Sequence, residues 1–518
     1  MRVRRGVVLV GVLAVTLCEA HARAGWWPPE RPPTSVEGPW GTRWTVEASD
    51  RLRGEFVDFF RPKPKPDFKT HKTAKFRYDF LGNKFQAGVR LRRDPWEAFV
   101  QFQHTVLDDV PVGSPPPAGP PPPVGPGATY FANTKRSFQE QGWLRQGWVR
   151  AEDLFGVKGA GIVVGRQLWR DGLEAPALDA NLVWLKRHRI AERLIGPGDY
   201  THIGRSYDGG QVHWDTDWLN VSGFGFQPTS GGFEISAGRP IEGIQLGGLS
   251  ATLKDSPRFP SSDTRLFWIY YSDHRRFTCD DKAPNNGKCV VDNRPPEVRT
   301  GDLRIHTIGA NAAHVTALGP GKADVLGSAS GQLGAWQALD QRAWAYDVEV
   351  GYQLTGLWTR PWARLGFFRG SGDPDPKDRI HETFFQILPT NRQYAQFPFY
   401  NMMNNQDTFA QLVLQPHRSL GVRSDFHWLR LVEGKDFLYS GGGATKDDFF
   451  GFAGTPPKDA PNGARQIGYL VDIAFTWKPV DLLTFYAYYG HAFGGDVIRQ
   501  SFAGREANYA YVESTVAF

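Results

Sequence analysis

Hydrophobic and polar residues alternate one for one over long stretches of the chain. In residues 84–92, Lys84, Gln86, Gly88, Arg90 and Arg92 fall on one face and Phe85, Ala87, Val89 and Leu91 on the other. In 342–354, Trp344, Tyr346, Val348, Val350, Tyr352 and Leu354 oppose Ala345, Asp347, Glu349, Gly351 and Gln353. In 466–477, Ile467, Tyr469, Val471, Ile473, Phe475 and Trp477 oppose Gln466, Gly468, Asp472 and Thr476. In 418–431, Leu420, Val422, Phe426 and Trp428 oppose Ser419, Arg423, Asp425 and His427. A period of two means strands with one apolar and one wet face. No stretch carries a convincing amphipathic helix.

Strands are predicted near 43–60, 75–92, 95–107, 141–152, 159–169, 206–214, 218–227, 243–253, 264–274, 303–315, 322–335, 342–354, 358–369, 406–415, 418–431, 466–477, 482–491 and 507–518. Two architectures fit them. A β-sandwich buries the apolar face in a dry core; a transmembrane barrel turns it to lipid and points the polar face into a lumen. Aromatics near strand ends (Trp44, Trp96, Trp143, Trp358, Trp428, Trp477) suit the interfacial girdles of a barrel. The polar face is rich in Arg. Connections also alternate in length, with long loops at 108–140, 170–205, 275–302, 370–405 and 433–465. The expectation is therefore an all-β chain: a single transmembrane antiparallel β-barrel of about 18 strands, with short periplasmic turns, long extracellular loops and both termini periplasmic.

Residues 1–24 read as a secretory signal, with Arg2, Arg4 and Arg5 before the apolar core Val7 to Leu17 and a small-x-small site at Ala20–Ala24. The Pro-rich 25–42 reads as a periplasmic leader and 43–518 as the barrel, placed in the outer membrane of a Gram-negative cell. Length alone would suggest several domains; one closed sheet accounts for it. The 58 Gly and 38 Pro suit a chain of many turns, and 18 Trp against 3 Met suit girdles. A mean hydropathy of −0.42 excludes a helical membrane bundle. The net charge of +6 is too mild to indicate nucleic acid, and 3 Cys supply no cysteine metal cluster.

The C-terminus alternates Ala510, Val512, Ser514 and Val516 outward and ends on Phe518. This resembles the closing strand read by the barrel assembly machinery. Further stretches carry a family resemblance: Leu144-Arg145-Gln146, then Val164-Gly165-Arg166-Gln167; Gly204-Arg205-Ser206-Tyr207-Asp208-Gly209; Arg369 to Asp373, then Phe384 to Asn391; and Gly490 to Asp496, then Tyr509 to Phe518. In their order over residues 43–518 they resemble the alginate export family of outer-membrane porins.

The resemblance implies an eighteen-stranded barrel whose lumen narrows to an electropositive constriction for polyuronate. It carries over Arg145, Arg166, Arg205 and Asp208 as constriction residues. Parity independently adds Arg51, Arg53, Arg90 and Arg92 as lumen residues, with Arg360, Arg364 and Arg423 as further candidates. Strands 4 and 5 break parity: Trp143 and Val149 share a face with Arg145, and Ile162, Val164 and Leu168 with Arg166, which requires a bulge or a change of burial. Guanidinium forks pair with carboxylates, and binding must stay weak and multi-site for a polymer to move. The expected function is secretion of an alginate-like anionic polysaccharide, with no cofactor and no enzymatic step. The alternative is an anion-selective general or substrate-specific porin for small-solute uptake. Expected partners are the polymer, lipid and lipopolysaccharide, the assembly machinery and a periplasmic secretion scaffold, around a monomer.

Other constellations are weaker. Cys279 and Cys289 lie in one loop facing an oxidising space and are candidates for a disulfide. Asp373, Asp375 and Asp378 are calcium candidates, although prolines interrupt the pattern and it is no EF-hand. Lys186-Arg187-His188-Arg189 is open to three readings: a lipopolysaccharide contact, a segment folded into the pore mouth, or a solvated loop. No G-x-S-x-G elbow or H-E-x-x-H is present.

Overall fold

The computed structural model describes residues 35–63, 75–112, 124–275, 301–390, 396–447, 450–455 and 463–518. Among these, eighteen antiparallel strands form the wall: β1 Thr42–Asp58, β2 Arg77–Arg93, β3 Trp96–Asp108, β4 Gln139–Ala151, β5 Ala160–Gln167, β6 Tyr207–Asp215, β7 Leu219–Pro228, β8 Ile244–Leu253 and β9 Ser262–Asp273, then β10 Leu303–Leu318, β11 Gly321–Trp336, β12 Leu339–Gln353, β13 Trp362–Gly370, β14 Asn405–His417, β15 Leu420–Leu431, β16 Gln466–Val480, β17 Leu483–Gly494 and β18 Glu506–Ala517. Each pairs with its neighbours in sequence, and β18 returns to β1 from Ser49↔Ala517 to Asp58↔Asn508. The terminal Phe518 exchanges two backbone hydrogen bonds with Ala48, each 3.0 Å. Closure leaves no open sheet edge, which a span through hydrocarbon requires.

Burial decides between sandwich and barrel. Along β12 the charged and polar residues Gln341, Asp347 and Glu349 are buried while Trp344, Val348 and Val350 are exposed. A soluble sandwich would show the opposite. The apolar outer face and polar inner face identify a membrane-spanning barrel. Five of the six girdle tryptophans face out, Trp96 at 56% exposure among them; Trp143 does not, being 7% exposed and packed inside with Phe80, Leu107 and Tyr130. The cause is a bulge in β4: Gln101 pairs with Gln146 but Phe102 pairs with Leu144, so Arg145 is the extra residue. Both Trp143 and Arg145 thereby turn inward while Val149 stays out. A second irregularity skips Ile467, which is buried rather than facing lipid.

One rim carries connections of eight residues or fewer, such as 94–95, 152–159 and 319–320, and both described chain ends. The other carries the long connections, including 109–138, 168–206, 371–404 and 432–465. Residues 35–38, within the Pro-rich N-terminal segment, form a short strand that pairs back onto Thr42–Thr45. The long connections fold inward and carry the short helices α1 Pro126–Thr134 and α2 Ala180–Leu185. Ile195 and Leu388 form a parallel bridge between two such loops, fixed by Gly196 N–H to Leu388 O and Leu388 N–H to Leu194 O, both 2.9 Å. Around them Trp336, Phe385, Phe450 and Phe452 pack as an apolar plug against the wall. Among the described residues no helix is long and apolar enough to cross a membrane.

Candidate functional site

The connection 168–206 leaves β5 early and crosses the lumen. Asp179 caps α2, accepting from the backbone N–H of Asn181 (2.8 Å) and Leu182 (3.2 Å). Beyond α2 the basic run is neither solvated loop nor outer contact at its anchors. Lys186 donates to Asp263 on β9 at 2.5 Å, and Arg189 donates to both oxygens of Glu349 on β12 at 2.9 Å. Arg193 adds Asp347 at 3.0 Å.

The loop's far end lands on the opposite charge arrangement. Arg145 donates to Asp199 Oδ1 at 2.6 Å and Arg170 to Oδ2 at 2.7 Å. Arg51 and Lys84 each reach the Asp199 carbonyl at 3.0 Å, Arg51 also the Thr201 carbonyl at 2.7 Å, and Arg53 the Tyr200 carbonyl at 2.7 Å. Burial alone would raise the Asp199 carboxyl, but Arg145, Lys84, Arg170 and Arg51 together hold it below the usual carboxylate range. Next to it His202 meets Glu55 at 2.9 Å; burial outweighs that partner and lowers the imidazole to about 3, so it is neutral.

The tally of charge is uneven around the lumen. Arg51, Arg53, Lys84, Arg145 and Arg170 share four acids: Asp199, Glu55, Glu192 and Glu513. Arg189, Arg193 and Arg364 face three acids, Asp324, Asp347 and Glu349. The cluster at the crossing loop beside β1, β2 and β4 thus holds one cation more than acids, while lower on the same wall Arg90 faces two acids, Glu47 and Glu97. Arg205 adds to the cluster. It is 3% exposed, donates from Nη2 to the Gly442 carbonyl at 2.7 Å, and its Nε and Nη1 have no hydrogen-bond partner among the described residues. It borders a cavity of about 60 Å³ with Gly198, Gly232, Gly442 and Phe233. Gly198 and Gly232 lie against the guanidinium at φ +62° and +66°, a left-handed backbone that a side chain would strain.

The expected lumen residues divide. Arg51, Arg53, Arg145 and Arg205 meet at the crossing loop. Arg364 is fully buried between Asp324 and Glu349 (2.7 Å), and Arg423 pairs with Asp425 at 2.6 Å, both on the inner wall. Arg90 lies lower on that wall between Glu47 (2.9 Å) and Glu97, 4.5 Å over the Phe99 ring. Four expectations are corrected. Arg166 and Asp208 are brought together by two hydrogen bonds of 2.7 Å, but they share the outward face of β5 and β6 with Val164 and Val212. Arg166 also donates to the Leu144 carbonyl at 3.2 Å, bridging to β4 where β5 ends. Arg92 is exposed at the short-turn rim, paired with Asp94 at 3.0 Å. Arg360 sits in the turn before β13 at φ +43°, because β13 begins only at Trp362.

The calcium candidates do not converge either. Asp373 is buried and its N–H donates to Asp436 (3.0 Å), while Asp375 and Asp378 are exposed and accept from backbone N–H groups of their own turn. Cys279 and Cys289, residues 1–24 and most of the Pro/Gly-rich 112–127 lie outside the described residues. Sequence reasoning missed Asp199, Arg170 and Arg193, because a loop has no parity to read. Lys84 and Glu513 were accessible to it, since both lie on inward faces of well-patterned strands.

Solved structures share the barrel. Acinetobacter baumannii OccAB2 matches with TM-score 0.54 at 8% identity, over 92% of this chain and 98% of that one. OccAB3 of the same organism matches with TM-score 0.53 at 10% identity, over 92% and 99%. Pseudomonas aeruginosa OpdK, an outer membrane protein, matches with TM-score 0.51 at 9% identity, over 91% and 98%. A comparison with curated proteins finds no significant match. The model of the family described as "Alginate export" matches residues 63–513, most of the barrel. With that match the closed barrel is an outer-membrane transport channel, and the chain belongs to the alginate export family.

Proposed function

We propose that the channel passes an alginate-like anionic polysaccharide outward, along a lumen with a cationic cluster at the crossing loop beside β1, β2 and β4. The observation that carries this reading is the set Arg51, Arg53, Lys84, Arg145 and Arg170 around a single shared loop, next to Arg205, which has unused donors. Fixed guanidinium groups in a low-dielectric wall raise the local concentration of carboxylates, while their existing acid partners keep each contact weak. In this reading residues 1–24 direct secretion, the short-turn rim and both termini face the periplasm, and Phe518 is read by the assembly machinery. The channel acts as a monomer, with lipopolysaccharide around its long-loop rim and a periplasmic scaffold delivering polymer. Recording in planar bilayers tests it. Anion selectivity and concentration-dependent block by oligouronates are expected; a cation-selective channel, or one indifferent to polyuronate, would sink the reading.

A second reading is uptake of small organic anions. It draws on the inward-packed loops and on the small cavity at Arg205, which suits a single carboxylate head. Pseudomonas aeruginosa OpdK, which has the same fold, has been solved with vanillate. Liposome swelling separates the two: rapid swelling with small organic acids, without oligouronate block, favours uptake.

A further inference from the structure

We propose that Asp425, His427 and Asp472 form a divalent-cation site on the inner wall, away from the cationic cluster. Asp425 and His427 lie on β15, and Asp472 on β16 stands directly across from Asp425 in register. One donor atom from each lies within 4.8 Å of the others, and all three side chains are buried. A first-row divalent ion held at about 2.1 Å by each donor needs them roughly 3.4 Å apart, so binding would draw the three donors closer together.

The imidazole is set up for such an ion. His427 Nδ1 meets both carboxylate oxygens of Asp407 on β14, at 3.0 and 2.8 Å. This fixes the ring and places the neutral form's proton on Nδ1, as a ligating His receives from an outer carboxylate. Nε2, on a side chain 0% exposed, has no hydrogen-bond partner among the described residues. Its lone pair is the ring donor left for an ion, on a side chain that brings one ring nitrogen within 4.8 Å of both carboxylates.

Charge counting leaves room for a divalent ion. Asp407, Asp425 and Asp472 bring three negative charges, and Arg423, 2.6 Å from Asp425, cancels one, so a net of two negative charges faces the site. The remaining contacts hold the carboxylates in place: Tyr488 donates to Asp472 at 3.0 Å, and Gln411 Nε2 to Asp425 at 2.6 Å. The other atom of that amide, Oε1, is a further buried acceptor without a partner. One imidazole with carboxylates suits zinc or manganese better than calcium or magnesium. The ion would tie the inner faces of β14, β15 and β16 together.

The test uses the untagged full chain in detergent, stripped with chelator. Zinc is titrated by calorimetry, bound metal is counted, and cobalt serves as a spectroscopic probe. One zinc per chain is expected beyond what His427→Gln and Asp472→Asn retain. Asp407→Asn, which removes only the outer partner, should weaken binding about 10- to 100-fold. Heat-modifiable migration on gels confirms that each variant keeps its barrel. Equal zinc binding by wild type and His427→Gln overturns the proposal. So does a wild type that binds no zinc, which would make the cluster a plain hydrogen-bonded network.

Discussion

Arg145 and Asp199 meet at 2.6 Å, joining the bulge in β4 to the loop that crosses the lumen. The bulge turns Arg145 inward, and the loop brings the one carboxylate that Arg145, Arg170 and Lys84 share. Asp199→Asn keeps the shape and removes a negative charge from a cluster with five cations and four acids. At about 6 Å and an effective dielectric near 40, one charge is worth about 1.4 kcal/mol, roughly tenfold in local anion population. The variant should be more anion-selective, read as a shift of reversal potential toward the chloride potential in a salt gradient. An unchanged or cation-shifted potential would place Asp199 outside the conduction path.

Arg205 has two donors, Nε and Nη1, without a hydrogen-bond partner among the described residues, where Arg51 and Arg145 each have one, Nε. Arg205→Ala should weaken oligouronate block by about 10- to 100-fold, the range for one charge-assisted hydrogen-bonded contact of about 1.5–3 kcal/mol. Arg205→Lys keeps the charge but loses the fork, so only partial recovery is expected. Block measured at several salt concentrations checks both. If alanine and lysine variants block like wild type, the polymer does not touch Arg205.

Adjacent residues on β12 should respond in opposite ways. Val348 is 52% exposed on the outer face, whereas Glu349 is buried and holds Arg189 and Arg364. Val348→Arg puts a charge into lipid and should cost about 2–4 kcal/mol if it lies near the midplane. Glu349→Gln leaves the lipid face alone but strands buried arginines, with a cost of about 3–5 kcal/mol. Urea unfolding in lipid vesicles measures both. Only Val348→Arg should become less costly in thinner bilayers.

The alternation that predicts the wall is legible because lipid and lumen impose opposite demands on successive residues, so Trp344, Asp347, Val348 and Glu349 declare their faces. Parity fails where the backbone inserts an extra residue, as at Arg145, and where a strand ends early, as before Arg360. The resemblance carries Arg166 over against the parity of Val164 beside it, and parity is the better guide; Asp208, across from Arg166 in register, faces outward with it. The crossing loop was hidden for a different reason. Its residues are placed by distant partners, Asp199 by β2 and β4 and Arg189 by β12, and no local period encodes such contacts.

Asp436 gives the long-loop rim a pH dependence of known sign. It lies in the connection after β15, fully buried, where it accepts from Thr383 Oγ1 (2.6 Å), the Asp373 N–H (3.0 Å), Tyr439 Oη (2.7 Å) and the Phe437 N–H (2.7 Å). Burial outweighs these donors and raises the carboxyl to about 6. A raised carboxyl favours the protonated folded form. Its stabilisation is full below the unfolded value near 3.8 and is lost as pH rises through about 6. The swing is about 3 kcal/mol at most. Backbone amides around 371–385 and 432–439 should therefore exchange more slowly at pH 5 than at pH 7.5, after correction for intrinsic rates. Asp436→Asn stays neutral and should flatten that difference. His202, lowered to about 3, pulls stability the other way below its unfolded value near 6.5. The informative quantity is thus the difference between wild type and Asp436→Asn, in which the His202 contribution cancels. Identical pH profiles for the two proteins would show that Asp436 is already ionised below pH 5, held there by its four donors.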